Sequence, residues 1–495
     1  MIDRGSGLAG DWTGRPGLIL SFARGVRAWR LLAGVCAAAA LAQAPASAET
    51  MSGALAHAYV NSPDINQQRA NVRGIDENIP KAKAGWLPKV NATANVNWQY
   101  TYLRAAPTPI TPTNPTRQRP AGVTYDNATP RGYGVQASET IFDGFKTLNS
   151  VRQAESQTFA AREQMRGTET NVLLSGATAY MDVLRDTAIL GLRKNNISVL
   201  EEQLRQTRDR FQVGEVTRTD VAQAEASLAQ SRSDFFAAQS ALQHSIATYR
   251  QFIGVEPRSL APAKSVEALL PKRMSEAVEV SQTEHPAIAA ALHTVDSAMA
   301  AVKVAESALY PTASVVAQVN RSFDYQGQTG AKAFNAAVGG QINVPIYQGG
   351  AEYASIRQAK EALGQARLQA DLQRDTVRSQ LVTAWGQLQT AKAQIISGQA
   401  AVSAAEIALN GIREEAKVGQ RTTFDVLTAQ QTLLQTRVNL VTAQHDRVVS
   451  SYNVLAAMGW LSAARLNLTA QLYDPTIHFN QTKNRLFGIS TPDGR

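Results

Sequence analysis

The chain has 495 residues, a formal net charge of +9, 44% hydrophobic residues, 6% aromatic residues and one cysteine. An apolar share near the globular norm excludes wholesale disorder, and few aromatics with abundant alanine suit long helices better than a bulky-cored enzyme. Without residues 1–48 the charge falls to +6, from 44 basic and 38 acidic residues. That small excess, spread over so long a chain, does not describe a nucleic-acid binder.

Arg24, Arg27 and Arg30 precede an apolar run from Leu31 to Ala42, followed by Ala46-Ser47-Ala48. A basic stretch, a short apolar core and a small-x-small site make a secretory signal peptide, 1–48, with Glu49 as the expected mature N-terminus. The stretch before Arg24 is long for a leader, which predicts a translation start downstream of Met1. Cys36 lies inside the apolar core, and Val35 in front of it breaks the small-residue pattern of a lipoprotein signal. The mature chain then has no cysteine, so neither disulfides nor thiol chemistry contribute. No later segment reads as a transmembrane helix, so a membrane location requires strands.

A helix is predicted over Met51–Lys83, with Pro63 inside it. After Pro88, Val90, Ala92, Ala94, Val96, Trp98, Tyr100 and Tyr102 alternate with Asn91, Thr93, Asn95, Asn97, Gln99 and Thr101, and period two means a strand. The segment Ala106–Pro120 is too rich in proline to continue a ladder and reads as an exposed loop. Tyr133, Val135, Ala137 and Ile141 mark the partner strand, with Glu139 out of pattern. Residues 146 to 256 then contain no proline. There, Val221, Ala224, Leu228, Ser231, Phe235, Ala238 and Leu242 keep the 3-4 spacing of a coiled-coil seam. A rising helix to about Phe211, a turn at Gly214 and a returning helix to about Phe252 form a helical hairpin; the first helix would be on the order of 100 Å long.

The second half repeats this order. A helix over Met274–Ala308 contains Pro286. Ala313, Val315, Ala317, Val319, Phe323 and Tyr325 alternate, with Arg321 as the misfit, and Phe334, Ala336, Val338, Ile342, Val344 and Ile346 form the partner. A second proline-free stretch covers residues 346 to 474, with a turn at Gly419. The match is direct: VGEVTRTDV from Val213 aligns with VGQRTTFDV from Val418, and IFDG from Ile141 with IYQG from Ile346, both at an offset of 205. Leu87-Pro88 aligns with Tyr310-Pro311 at 223, so the first half carries an 18-residue insertion containing the proline-rich loop. The expected organisation is 1–48 leader, 49–262 first repeat, 263–465 second repeat and 466–495 C-terminal tail, to which the sequence assigns no role.

Strands about ten residues long with one apolar and one polar face fit a transmembrane barrel, with Trp98, Tyr100, Tyr102, Phe323 and Tyr325 as an aromatic girdle. Half-buried hairpins in a soluble sandwich are the alternative. Four strands cannot close a barrel and open edges cannot face lipid, so a barrel must be shared between copies of the chain. Strand arithmetic leaves two or three copies open.

The export signal, tandem halves, proline-led strand pairs, IFDG and IYQG turns and repeated VGxxTxxDV segments together resemble the TolC family of outer-membrane efflux and secretion ducts, over about residues 50 to 465. The resemblance implies a mainly helical α+β chain and a homotrimer with a twelve-stranded barrel in outer-membrane lipid, continued by a coiled-coil tunnel across the periplasm. An inner-membrane transporter and a periplasmic adaptor protein are the implied partners; no nucleic acid or cofactor is. It also implies that the hairpin tips at Gly214 and Gly419 form the closed periplasmic end. There Arg421 would bond a Thr219-Asp220 pair on a neighbouring hairpin, and Asp425 would line a constriction. The position of a second family aspartate is Thr428 here, and that of an aromatic latch is Ala416. The plainer reading is that Asp220 and Asp425 occupy first helical turns, where negative charge favours the dipole, with Arg421 solvated.

His57, His244, His285, His293, His445 and His478 show no metal-ligand spacing and read as solvated or helix-surface residues. Without a phosphate loop or nucleophile motif the chain reads as a non-enzyme. A periplasmic adaptor also has an export signal and a long hairpin, but one hairpin rather than two. A coiled-coil structural protein would lack the alternating strands. The cargo, whether drug, protein or metal, is not written in the sequence.

Overall fold

The computed structural model describes residues 48–105, 122–325 and 329–492. The signal peptide with Cys36 and the proline-rich segment Ala106–Pro120 lie outside the described residues. The chain is mostly helical with some sheet. Helices α1 (Met51–Asn61), α2 (Pro63–Asp76) and α3 (Asn78–Lys83) lead to β1 (Lys89–Val96), β2 (Gln99–Ala105), β3 (Gly122–Ala128) and β4 (Arg131–Phe142). The first helical hairpin is α4 (Lys146–Gln212) and α5 (Arg218–Ile253). Then come α6 (Met274–Glu284), α7 (Pro286–Glu306), β5 (Thr312–Phe323), β6 (Lys332–Asn343), the second hairpin α8 (Ala351–Lys417) and α9 (Thr423–Ala457), and α10 (Pro475–Thr482).

The continuous helix expected over Met51–Lys83 is broken, as is its counterpart before β5. Proline cannot donate its N–H and restricts the residue before it, so a new helix starts at each. Ser62 caps α2 through its hydroxyl, and His285 caps α7 through Nδ1, 3.2 Å from the Ala287 N–H. Met274–Leu309 and Ala351–Lys417 also contain windows apolar enough to cross a membrane by length and composition, contrary to the expectation that no such helix follows the leader; the windows are only 22% and 6% buried. Their hydropathy comes largely from alanine.

β1, β4, β5 and β6 form one antiparallel sheet in that order, and β2 pairs with β3 as a separate two-stranded arm. The single expected strand after Pro88 is thus interrupted at Asn97-Trp98, where the Asn97 N–H turns to the Pro130 carbonyl at 2.9 Å. β6 ends at Asn343, short of the expected Ile346. Each strand pair enters its hairpin through two consecutive left-handed residues: Gly349-Gly350 in the second half, and Gly144-Phe145, at φ 67° and 66°, in the first. Phe145 therefore holds a conformation that costs an L-residue about 1–2 kcal/mol.

Both rising helices contain 67 residues, about 100 Å at ~1.5 Å per residue. Along α5 the predicted seam is buried at Ala224, Leu228 and Ser231. The largest core lies where α1, α4, α5 and α9 meet, around Leu55, Leu173, Tyr180, Tyr249, Ile253 and Leu455. Tyr180 donates to the carbonyls of Glu49 and Ala261 at 2.8 and 2.7 Å, tying the start of the mature chain to the segment joining the two halves. Burial, reinforced by the Glu49 carboxylate, pushes the Tyr180 phenol up to about 12.

The C-terminal tail returns to the first half. Tyr473 N–H donates to the Tyr59 hydroxyl at 3.0 Å, and the Arg69 guanidinium lies over both tyrosine rings. His478 Nδ1 meets the buried Asp76 carboxylate at 2.9 Å. His478 and His445 are both buried against carboxylates, which corrects their reading as surface residues.

Candidate functional site

The apolar side of the four-stranded sheet is open to its surroundings. Cross-strand partners point to one side of a sheet. The pairs Val135 with Val319, Ala137 with Ala317 and Ala317 with Val338 place these residues on one face with Tyr133, Phe334 and Ile342. Val338 is 79% exposed, Ile342 73% and Phe334 72%. The opposite face carries Gln136, Ser138, Gln318, Asn320, Asn335 and Gln341. Strands β1 and β6 each have one partner among the described residues, so both outer edges present unpaired backbone groups.

The expected girdle residues do not share one level or one sheet. Trp98 sits at the β1–β2 break and is 72% exposed. Tyr100 and Tyr102 stand further out on the β2–β3 arm, where Tyr102 meets the ring of Tyr125 at 5.3 Å. Phe323 ends β5 and packs on Tyr133 at 6.2 Å, and Tyr325 lies just past it. Tyr133 and Phe334 join Phe323 at that end; their alternation showed the face, but only pairing with β5 shows the height.

At the other extreme, both tips are built from the same two devices. α4 closes with the Gly214 N–H on the Phe211 carbonyl and the Glu215 N–H on that of Arg210; α8 does so with Gly419 on Ala416 and Gln420 on Glu415. This double bond pattern requires a left-handed residue, and Gly214 and Gly419 have φ of 82° and 78°. Each returning helix then opens with a capping box. Thr217 Oγ1 accepts the Asp220 N–H at 3.3 Å while Asp220 Oδ2 accepts the Thr217 N–H at 2.9 Å; Thr422 and Asp425 repeat this at 3.2 and 3.0 Å. The shared sequence VGxxTxxD is therefore helix stop, turn and helix start in eight residues.

Electrostatics at the tips follow from the caps. Bonds from the Thr217 hydroxyl and N–H hold the Asp220 carboxyl below its ordinary value, and the Thr422 N–H and hydroxyl do the same for Asp425. Arg421 Nε donates to Glu415 Oε2 at 2.8 Å on its own hairpin, and that bond raises the guanidinium's already high value. Within the chain Arg421 is not joined to Thr219 or Asp220; Thr219 is exposed on the first turn of α5. At the first tip the polarity of the ion pair is reversed, with Arg210 on the helix and Glu215 in the turn, 3.0 Å apart. These ion pairs escape sequence reasoning, although a charge at each helix end opposite a charge in the turn is the signal. The two hairpins touch near the tips, where Leu427 packs on Leu200, Leu204, Ala224 and Leu228.

Higher on the hairpins is a charged junction. His445 Nε2 lies 3.0 Å from Asp182 Oδ1, and its Nδ1 2.9 Å from Asp446. Burial works against the charged ring, but the bonds to Asp182 and Asp446 outweigh it and raise its pKa. Glu267, between the two halves, bonds Lys392 at 2.5 Å and Arg447 at 2.7 Å. Burial opposes its ionisation, yet these cations and Ser265 bring its pKa down to about 2.

The sequence model of the outer membrane efflux protein family matches residues 54–255 and 278–460. The outer membrane efflux protein BepC of Brucella suis is 40% identical over 450 residues, covering 91% of this chain and 94% of that protein. The outer membrane protein TolC of Vibrio cholerae is 26% identical over 429 residues, covering 84% and 92%. Among solved structures, the CmeC outer membrane channel of Campylobacter jejuni superposes with a TM-score of 0.71 at 19% identity, covering 88% of this chain and 89% of that one.

Proposed function

Since this chain belongs to the outer membrane efflux protein family, whose members are outer-membrane channels with a periplasmic extension, we propose that it is the exit duct of a tripartite efflux or type I secretion system. The reading rests above all on the four-stranded sheet: its exposed apolar face suits lipid, and its two open edges can be satisfied only by further copies.

Three copies are the proposed number. Twelve strands spaced by ~4.8 Å and tilted by ~40° close at roughly 24 Å across. The four long helices of each chain then give a ring of twelve, and spacing of ~10 Å puts their axes on a circle roughly 38 Å across, leaving a bore of roughly 28 Å. Two copies leave only about 15 Å between eight helices by the same estimate. The sparse burial of the apolar windows in α7 and α8 fits faces that meet neighbouring copies.

In this reading the repeats 49–262 and 263–465 are quasi-equivalent staves; Trp98, Phe323 and Tyr325 anchor the outer rim, while Tyr100 and Tyr102, expected in the same girdle, stand beyond it on the β2–β3 arm. Arg421 exchanges Glu415 for the Thr219-Asp220 pair of a neighbouring hairpin, and Asp425 from each copy forms a ring of negative charge that favours cations. The chain catalyses nothing itself. Energy and cargo choice belong to an inner-membrane transporter, reached through a periplasmic adaptor.

The test is direct. Outer-membrane extracts should contain a species that migrates as a trimer until heated and conducts in planar bilayers. Arg421→Ser should raise single-channel conductance several-fold. A soluble monomer without conductance overturns the duct; unchanged conductance in the variant overturns the gate alone.

A further inference from the structure

Three cations occupy the apolar face of the sheet at the end away from the helices. Arg131, Phe323 and Lys332 stand side by side across β4, β5 and β6, and Tyr133, Arg321 and Phe334 form the next row. The guanidinium carbons of Arg131, on the neighbouring β4, and Arg321, two residues back on β5 itself, lie 5.8 and 5.5 Å from the Phe323 ring centroid, so one ring engages both charges. Arg131, Arg321 and Lys332 are all exposed. None of the three has an ion-pair partner among the described residues. The nearby Asp324 carboxylate is engaged by the Gly330 N–H at 2.7 Å, and Glu139, on the same face, lies about 26 Å from the Arg131 row and about 20 Å from the Arg321 row along β4 at ~3.3 Å per residue.

Their height matters as much as their charge. β4 has 12 residues, about 40 Å along the strand, and a ~40° tilt reduces this to about 30 Å. An outer-membrane apolar band is about 25 Å tall. With the helix junction at Phe142 on the periplasmic side, the Arg131–Phe323–Lys332 row falls just beyond the outer edge of the hydrocarbon, at headgroup level. An isolated interfacial arginine snorkels to water. Here two guanidiniums share one ring and a lysine stands on the next strand in the same row, and planar guanidiniums bind phosphate oxygens in pairs.

We propose that Arg131, Arg321 and Lys332 form a site for the phosphorylated glycolipid of the outer leaflet, its phosphates on the three cations and its acyl chains over Val135, Val319, Phe334 and Val338. The site rests on the reading of this face as lipid-facing. It would fasten one such lipid to each copy and order the lipid shell around the barrel rim.

The test uses the full oligomer, delipidated in detergent, and native mass spectrometry to count retained lipids. The probes are bis-phosphorylated lipid A, its dephosphorylated form, phosphatidylglycerol and inorganic phosphate. Wild type should hold bis-phosphorylated lipid A at least about 10-fold more tightly than the dephosphorylated form, and the triple variant Arg131→Gln, Arg321→Gln, Lys332→Gln should lose that preference while remaining a heat-modifiable oligomer. Each single variant should lose part of it, which keeps the site testable if the triple variant does not assemble. Equal retention by wild type and variants, equal retention of the dephosphorylated lipid, or equal competition by phosphatidylglycerol or inorganic phosphate overturns the proposal. Channel conductance, measured in parallel, should be unchanged by the substitutions; a wild type that fails to conduct counts against the duct and leaves the lipid comparison readable.

Discussion

His445 Nε2 and Asp182 Oδ1 meet at 3.0 Å and join the returning helix of the second hairpin to the rising helix of the first. The His445 pKa is raised, so its contribution is fully present below about pH 6.5 and is lost as pH rises through the folded value. Asp182→Asn should cost on the order of 1–3 kcal/mol at pH 6, the lower part of the range for a partly exposed pair. The difference in melting temperature between this variant and wild type should shrink by pH 9. A wholly pH-independent difference would assign the loss to the Arg185–Asp182 ion pair at 2.8 Å rather than to His445.

Glu267 behaves with the opposite sign. Its pKa is brought down to about 2, so its stabilisation is present above about pH 4.3 and fades as pH falls toward 2. Glu267→Gln should lower the melting temperature at pH 7 and have little effect near pH 2.5. Equal destabilisation at both values would mean that packing, rather than the Lys392 and Arg447 ion pairs, accounts for the loss.

The capping threonines predict local rather than global loosening. Thr217→Val or Thr422→Val removes the hydroxyl that accepts the Asp220 or Asp425 N–H and should weaken its tip by about 1 kcal/mol. Hydrogen exchange should accelerate about five-fold in residues 213–222 or 418–427 and stay unchanged at Leu173 and Tyr180. Protection of both tips at the wild-type level would show that neighbouring contacts, not the caps, hold them.

The strand-to-helix turn offers a gain and a loss. Phe145→Gly relieves the left-handed strain at φ 66° but gives up the ring contact with Phe142 at 5.4 Å, so its net effect should be within about 1 kcal/mol of zero. Gly144→Ala should be much worse. A Cβ there would stand 2.6 Å from Tyr310 Cβ and 2.9 Å from the Ser307 carbonyl oxygen. Heating curves of the oligomer should rank Gly144→Ala well below Phe145→Gly, and the reverse order would refute the strain assignment.

Much of this architecture is readable from local pattern. Alternation from Val90 marks the strand and its apolar face, and VGxxTxxD marks the tips because stop, turn and start are all local chemistry. Features that depend on distant partners are not readable in this way. His445 is buried because Asp182 lies 263 positions earlier in the chain, and nothing around His478 announces that Asp76 awaits it. The break at Asn97-Trp98 is set by Pro130 across the ladder. At the candidate gate, sequence locates Gly214, Gly419, Asp220 and Asp425 at the tips, but the choice of Glu415 as the Arg421 partner is a matter of side-chain reach around a turn.

The two rising helices, equal at 67 residues, constrain how such a chain can change. One residue added to α4 alone would push its tip out by ~1.5 Å and rotate its seam by about 100°, while α8 stayed in place. Insertions that keep both the seam and the common reach are therefore whole heptads matched in the two hairpins. The reach of the hairpins is in effect recorded twice in the chain, and each copy proofreads the other.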